Sequence, residues 1–114
     1  MDRGERRGYI VLMIVGIDVG ISTTKAAALQ DRKPLGFCTV PAVAGDPLAS
    51  AAGGLGRLLR DQERPLAAVR RLAVTGIGSV FLGEELLGLP CRRVSEFQAT
   101  GRGGLLLSGL ERAV

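Results

Sequence analysis

The sequence predicts an α/β fold, in which a mixed sheet of five strands has helices packed on its faces. The chain of 114 residues is 46% apolar and 23% charged, a composition that supports one folded domain and argues against disorder. Short turns join the first three apolar segments, which suits antiparallel hairpins. The later apolar segments alternate with helical patterns, and parallel neighbours require such crossover connections.

The first predicted strand covers residues 9–18, an apolar stretch rich in β-branched residues. We expect residues 1–12 to be a polar tail and the start of this strand, and residues 13–114 to form the folded lobe. The apolar run is too short to cross a membrane, and no small-residue cleavage site follows it. We therefore expect a cytoplasmic protein with no membrane partner.

Four further strands follow from the pattern of apolar residues and turns. Two are expected at residues 22–29 and 34–40, with the polar residues 30–33 as the hairpin turn between them. A fourth is expected at Val69–Thr75 and a brief fifth at residues 90–94. No internal repeat or linker interrupts this order, so we expect one continuous sheet.

Three helices are expected between and after these strands. Asp46 can cap the first helix, Pro47 suits its first position, and leucines and alanines then recur at spacings of three and four. Glycines at positions 53, 54 and 56 lower its helix propensity but can allow close packing on the sheet, and Pro65 marks its end. A short second helix is expected over residues 80–87. A third begins at Ser95, where Ser95 and Gln98 match a capping box.

Charge and cysteine content exclude several functions. The net charge of +4 comes mainly from arginines that are scattered along the chain without interleaved aromatic residues, so a solvated surface is favoured and we expect no nucleic-acid partner. The chain has no histidine, which removes histidine-based triads and the usual zinc patterns. Cys38 and Cys91 are far apart in sequence and are expected to be reduced, buried thiols.

Residues 16–25 are the strongest candidate for a ligand-binding site, because a predicted buried strand there ends with an aspartate next to a glycine turn. Asp18 can hold hydrated magnesium, and Gly20 lets backbone amides face phosphate oxygens. Ser22 and Thr23 can donate hydroxyl hydrogen bonds, and Lys25 supplies positive charge. The alternative is an ordinary hairpin in which the same residues only satisfy turn and strand preferences.

This segment resembles the phosphate-one signature of the actin, hexokinase and Hsp70 superfamily, which is Asp, any residue, Gly, any residue, then Thr or Ser. The segment is not a Walker A loop, because the Gly-x-x-x-x-Gly-Lys pattern is absent. It is not a Rossmann dinucleotide-binding motif either, because the glycine turn is followed by a strand and not by a helix. The resemblance implies an RNase H-like or actin-like ATPase lobe that uses ATP and Mg²⁺. The family commonly has a second glycine where this chain has Ile21, a side chain that can narrow phosphate access.

The later part of the chain contains four further motifs: a Val-Thr-Gly turn ending at Gly76, a Gly-x-Pro at residues 88–90, a Glu-Phe pair at Glu96, and a Gly-Gly-Leu-x-Leu-Ser-Gly-Leu run at residues 103–110. With these motifs the chain resembles bacterial type II pantothenate kinases. The resemblance implies phosphorylation of the pantothenate hydroxyl, the first step of coenzyme A biosynthesis, with Glu96 as general base. The residues expected to line the substrate cleft are Thr75, Gly76, Gly78 and Ser79.

An actin-like enzyme closes ATP between two lobes, and this chain is long enough for one. We therefore expect the chain to be the amino-terminal lobe, to need a carboxy-terminal lobe as partner, and to be inactive alone. The sequence also leaves open whether the protein forms a homodimer. One alternative is an ATPase activator of acyl-CoA dehydratases, but that family has a cluster-binding cysteine soon after the glutamate, where this chain has Gln98, Ala99 and Thr100. Another is a non-catalytic module that binds a partner chain.

Overall fold

The computed structural model describes residues 12–31 and 33–94. Of the remaining chain it describes only the backbone of four short strands. These pair as two antiparallel ribbons, β1 with β2 and β9 with β10. Their bounds are Glu5–Arg6 (β1), Tyr9–Ile10 (β2), Gln98–Thr100 (β9) and Gly104–Leu106 (β10).

A six-stranded mixed sheet forms the centre of the fold, with the strand order β5-β4-β3-β6-β8-β7. Strands β3, β4 and β5 form an antiparallel meander, whereas β6 runs parallel to both β3 and β8. This topology confirms the predicted mixed sheet. The strands are Met13–Val19 (β3), Thr23–Gln30 (β4), Lys33–Pro41 (β5), Val69–Thr75 (β6), Glu85–Leu86 (β7) and Leu89–Arg93 (β8).

Helix α1, Pro47–Gln62, crosses one face of the sheet and packs its apolar side against the strands in the larger core cluster. Its Leu55 and Leu58 are buried against Met13, Ile17 and Leu72 of the central strands. Full burial of each such side chain contributes roughly 1.5–3 kcal/mol. On the opposite face a smaller apolar cluster is buried, consisting of Ile14, Ala27, Leu29 and Ala73.

The ends of α1 confirm the predicted capping residues. The side chain of Asp46 accepts a hydrogen bond from the backbone N–H of Ala49 at 2.9 Å, and Pro47 is the first helical residue. At the other end Glu63 adopts a left-handed conformation with φ of 54°, and its N–H donates to the carbonyl of Arg60. The helix therefore ends shortly before Pro65, as predicted.

The prediction of a helix over residues 80–87 is wrong. A 3-10 helix, Ile77–Phe81, is followed by the short hairpin of β7 and β8. Gly83, Leu87 and Gly88 have φ values of 72°, 54° and 79°, which no α-helix accommodates. The hairpin also explains why the sheet has six strands and not five.

Two further boundaries differ from the prediction. The first strand of the central sheet begins at Met13, because Tyr9–Ile10 pairs with Glu5–Arg6 in a separate ribbon. The third helix was expected to begin at Ser95, which lies outside the described residues, but Gln98–Thr100 and Gly104–Leu106 are antiparallel strands. Glycines at positions 101, 103 and 104 explain the weak helix preference of this segment, at about 1 kcal/mol each relative to alanine.

Both cysteines are free and buried, as predicted. Burial raises the pKa of each thiol, and at Cys38 the nearby charge of Asp61 raises the pKa further. In the described part of the chain, no helix has the length and apolar character needed to cross a membrane.

Candidate functional site

The hairpin between β3 and β4 brings the predicted phosphate-binding residues together. Asp18 lies next to the end of β3 and is paired across the sheet with Lys25 of β4. The turn closes where the N–H of Gly20 donates to the carbonyl of Thr23 at 3.0 Å. Ser22 and Thr23 are exposed at the turn, so their hydroxyl groups are accessible.

The strand register places four polar side chains in one row across the sheet. Val15, Ile17 and Val19 belong to the core beneath α1, and because side chains alternate along a strand, Asp18 points to the opposite face. Asp18 is paired with Lys25 on one side and with Thr75 on the other. Lys25 is in turn paired with Thr39 of β5. The polar row therefore consists of Thr39, Lys25, Asp18 and Thr75.

The polar row offers the groups that a magnesium–phosphate ligand requires. Asp18 is half-buried and Lys25 is exposed, so a carboxylate and an ammonium are available side by side. The carboxylate of Asp18 is a hard oxygen ligand, the kind that Mg²⁺ prefers, whereas the Thr75 side chain beside it is buried. The described residues contain no cluster of three or more acidic, cysteine or histidine side chains, so an Mg²⁺ ion here would take most of its ligands from water and phosphate.

The predicted cleft residues divide between the two faces of the sheet. Gly76 packs directly against Asp18: a Cβ atom at Gly76 would lie 2.5 Å from the Oδ1 atom of Asp18. Gly78 instead packs against Val19 and Pro47 on the side of α1. The hydroxyl of Ser79 is buried and donates to the carbonyl of Gly76 at 2.7 Å, so it holds the turn in shape. Thr75 thus belongs to the polar row and Gly76 adjoins it, whereas Gly78 and Ser79 do neither.

The sequence did not indicate an apolar groove on the α1 side of the hairpin. This apolar groove has a volume of about 280 Å³. Three segments far apart in sequence form it: the turn after β3, the loop before α1, and the 3-10 helix after β6. Its apolar walls are Val19, Ile21, Val43, Pro47, Ile77 and Phe81. The signal present in the sequence was the placement of large apolar residues in loops, at positions 21, 43 and 77.

The sequence motif also did not show that Thr24, unlike the neighbouring Ser22 and Thr23, is buried. Its side chain lies on the α1 side of β4, fully buried, and its hydroxyl makes no hydrogen bond. The methyl group of Thr24 packs against Gly54 of α1. Glu96, the predicted general base, lies outside the described residues.

Comparisons with known proteins find similarity in structure alone. No protein-family model and no curated protein sequence matches the chain. Among solved structures, it is similar to the activator of 2-hydroxyisocaproyl-CoA dehydratase from Clostridium difficile, determined with bound ADPNP, with a TM-score of 0.60 and 16% identity. It is also similar to component A of (R)-2-hydroxyglutaryl-CoA dehydratase from Acidaminococcus fermentans, with a TM-score of 0.60 and 21% identity.

These matches cover 74% of this chain but only 29% and 30% of the two activator chains. A third similar structure is YeaZ from Pseudomonas aeruginosa, with a TM-score of 0.53, 17% identity, and coverage of 75% of this chain and 44% of that one. At these identities the similarity concerns the fold. The chain therefore has the fold of an actin-like ATPase lobe and spans less than a third of the activator chains that it matches.

Proposed function

We propose that the chain is the amino-terminal lobe of an ATP-dependent kinase that phosphorylates the hydroxyl of a small alcohol, with pantothenate as the acceptor that the sequence resemblance implies. The polar row supports the proposal most directly, because Asp18, Lys25 and Thr75 lie side by side where the glycine turn ends β3. A carboxylate, an ammonium and a hydroxyl in this arrangement suit a nucleotide phosphate with its magnesium ion.

In the proposed reaction each residue has a distinct part. Asp18 would hold a hydrated magnesium ion, which would supply positive charge against the phosphate oxygens, and Lys25 adds a positive charge on the same face of the sheet. Gly20, with Ser22 and Thr23, lets the turn approach the phosphate oxygens closely. The acceptor oxygen forms a bond to the terminal phosphorus of ATP as the bond to the bridging oxygen breaks, ADP leaves, and Glu96 accepts the hydroxyl proton.

The isolated lobe should bind nucleotide weakly and transfer little phosphate. The polar row lies at one end of an open sheet, and a second lobe is needed to enclose ATP and exclude water. The carboxy-terminal lobe of the complete enzyme is therefore its proposed partner, and a second copy of the chain is the alternative partner.

An activator-like ATPase lobe is the second candidate, and the structural similarity to the two dehydratase activators favours it. The sequence that follows Glu96 argues against it, because Gln98, Ala99 and Thr100 include no cysteine to ligate an iron–sulfur cluster. A non-catalytic module that uses the lobe only to bind another chain is the third candidate.

The proposal is tested first on the isolated chain, by titrating it with MgADP and following backbone amide NMR shifts. Binding should perturb residues of the hairpin, and Asp18→Asn should weaken it at least about tenfold, since one charge-assisted contact contributes roughly 1.5–3 kcal/mol. Asp31→Asn is the matched control, because Asp31 is exposed at the turn that joins β4 to β5. Equal binding by both variants would reject the phosphate site.

An experiment that identifies the acceptor alcohol requires both lobes of the enzyme. Co-expression with a pantothenate kinase carboxy-terminal half should yield pantothenate phosphorylation that Glu96→Gln abolishes. MgADP binding without phosphorylation in that assay would favour the non-catalytic module. Reconstitution of an iron–sulfur cluster on the co-expressed protein would instead favour the activator-like candidate.

A further inference from the structure

The apolar groove leaves large hydrophobic side chains in contact with solvent. Ile21, Ile77 and Phe81 are 75%, 64% and 74% exposed, and all three line the groove. Val19 and Pro47 form part of the same walls, so the exposed side chains surround a recess and are not scattered over the surface. Soluble proteins rarely leave large apolar side chains clustered in the open unless something binds to them. The exposed fractions therefore indicate that the groove has an occupant with an apolar body.

Asp46 is the one ionisable residue among the described residues that line the groove. Its backbone is held on both sides, because its N–H donates to the carbonyl of Val43 and its carbonyl accepts from the N–H of Ser50, each at 3.0 Å. Its Oδ1 atom accepts from the N–H of Ala49 at 2.9 Å. The carboxylate is therefore fixed at the groove before a ligand binds, which lowers the entropic cost of binding.

The second oxygen of this carboxylate is available to a ligand. Asp46 is exposed, and its Oδ2 atom has no hydrogen-bond partner within the described part of the chain. The hydroxyl of Ser50, by contrast, accepts from the N–H of Val43 at 2.8 Å and donates to the carbonyl of Val43 at 3.3 Å. The side chains of the groove therefore offer one unused polar group, a negatively charged acceptor. A cationic donor suits it best, because charge-assisted hydrogen bonds are stronger than neutral ones.

The described residues of the groove do not supply that cation themselves. No lysine or arginine is among the residues that line it. The ion pair of helix α1 joins Arg57 to Asp61 and does not involve Asp46. Lys25 is paired with Asp18 on the opposite face of the sheet. The groove thus presents a single negative charge on a chain with a net charge of +4, and charge complementarity favours a cationic occupant.

We infer that the apolar groove binds a small molecule in which an apolar body carries a primary ammonium group, with the ammonium group at Asp46. A volume of about 280 Å³ suits a small organic molecule and lies near the lower limit of ligand sites in general. The groove lies on the α1 face of the sheet, opposite to the Asp18 side chain, so this inference does not depend on the proposed kinase function.

The test follows the methyl NMR signals of isoleucine and valine in the full chain while three probes are added. Cyclohexylmethylammonium has an apolar body and a charge, cyclohexylmethanol has the same number of non-hydrogen atoms without the charge, and methylammonium has the charge without the body. Cyclohexylmethylammonium should shift the signals of Ile21, Val43 and Ile77 saturably, and methylammonium should not. It should bind about threefold more tightly than cyclohexylmethanol at low salt, and this difference should shrink as ionic strength rises, because Asp46 is exposed.

Asp46→Asn removes the charge and keeps the helix cap, because asparagine caps a helix about as well as aspartate. This variant should bind cyclohexylmethylammonium no more tightly than cyclohexylmethanol, and its affinity for the alcohol should equal that of the unaltered protein. Asp31→Asn is the matched control, because Asp31 is exposed at the turn that joins β4 to β5 and should change neither affinity.

Phe81→Ser tests the apolar walls and should weaken the binding of both ring-containing probes about tenfold, through lost apolar contact. Val80→Ser is its matched control. Val80 lies in the same 3-10 helix and is 53% exposed, but it does not line the groove, so its replacement should leave both affinities unchanged.

Three results would overturn the inference. The first is equal affinity of the unaltered protein for the two ring-containing probes at low salt, or an Asp46→Asn variant that still distinguishes them. The second is equal binding by the Phe81→Ser and Val80→Ser variants. The third is a set of methyl shifts that depend on protein concentration without any probe, because they would identify a second copy of the chain as the occupant.

Discussion

The Oδ1 atom of Asp18 occupies the space that a Cβ atom on Gly76 would need, since the two positions are 2.5 Å apart. Gly76 also has φ of 93° and ψ of 167°, a conformation that is essentially restricted to glycine. Backbone atoms of Val19 lie equally close, at 2.5 and 2.8 Å from the same Cβ position. A side chain at position 76 would therefore collide with both the Asp18 carboxylate and the Val19 backbone.

Gly76→Ala should destabilise the protein and displace the Asp18 carboxylate. We expect a loss of about 3 kcal/mol in the free energy of unfolding, because backbone strain and a steric clash act together. Urea unfolding followed by circular dichroism measures the loss. Gly83→Ala is the control: its φ is 72° but no atom lies within 4 Å of the added methyl, so only the strain of about 1 kcal/mol applies. Equal losses in the two variants would contradict the close packing of Gly76 against Asp18 and Val19.

Lys25→Met should weaken MgADP binding about tenfold at low salt, because it removes the ammonium paired beside Asp18. The effect should shrink as ionic strength rises, since Lys25 is exposed and its charge is screened. The measurement is the amide-shift titration at two salt concentrations. Lys33→Met removes an equally exposed charge at the far end of the β4–β5 hairpin and should leave the affinity unchanged. A similar loss in both variants would show that only net charge matters.

The sequence was informative where a local pattern determines the structure. Asp46 and Pro47 begin α1 as predicted, because capping and the fixed φ of proline act within one turn. Asp18 and Lys25 were predicted as site residues from the motif, and the β3–β4 register pairs them. The motif spacing placed both near one turn, but only the register shows that they share a face.

Features that depend on several distant segments could not be predicted. The apolar groove needs the turn after β3, the loop before α1 and the 3-10 helix after β6 to converge, and no local pattern encodes that.

The β7–β8 hairpin was missed because Leu87 takes a positive φ, which leucine rarely adopts. Gly78 and Ser79 lie only two and three residues after Gly76, yet the 3-10 helix carries Gly78 to the face on which α1 packs.

The buried thiols predict how stability changes at alkaline pH. Burial raises the pKa of Cys38 and Cys91 above the ordinary value of 9.0. The unfolded chain therefore releases the thiol protons at a lower pH than the folded protein does. The stabilisation from the protonated thiols is complete below about pH 9 and is lost as the pH rises through the folded-state pKa values.

Replacing both cysteines with alanine should therefore flatten the fall in unfolding free energy above pH 9, although the variant is less stable at neutral pH. Urea unfolding between pH 7 and 11 gives both curves. Parallel curves for the two proteins would mean that the thiols ionise equally in the folded and unfolded states, contrary to their burial.

The three central glycines of helix α1 lie in different packing environments. A Cβ atom on Gly54 would lie 2.8 Å from the Cγ2 atom of Thr24, a fully buried residue of β4. Gly53 and Gly56 are exposed, and no atom lies within 4 Å of a Cβ atom at either position. Of these three glycines, only Gly54 is needed for the close approach of α1 to β4.

Gly53→Ala and Gly56→Ala should each stabilise the protein by about 0.5–1 kcal/mol, because alanine has the higher helix propensity and meets no neighbour. Gly54→Ala gains the same propensity, but its methyl group must push α1 away from Thr24. We expect a net loss of about 1–3 kcal/mol, the usual cost of overpacking a core. Thr24→Ser removes the opposing methyl group and should recover part of that loss in the double variant, as a double-mutant cycle measures. A stabilising Gly54→Ala would show that α1 does not press on β4 at this point.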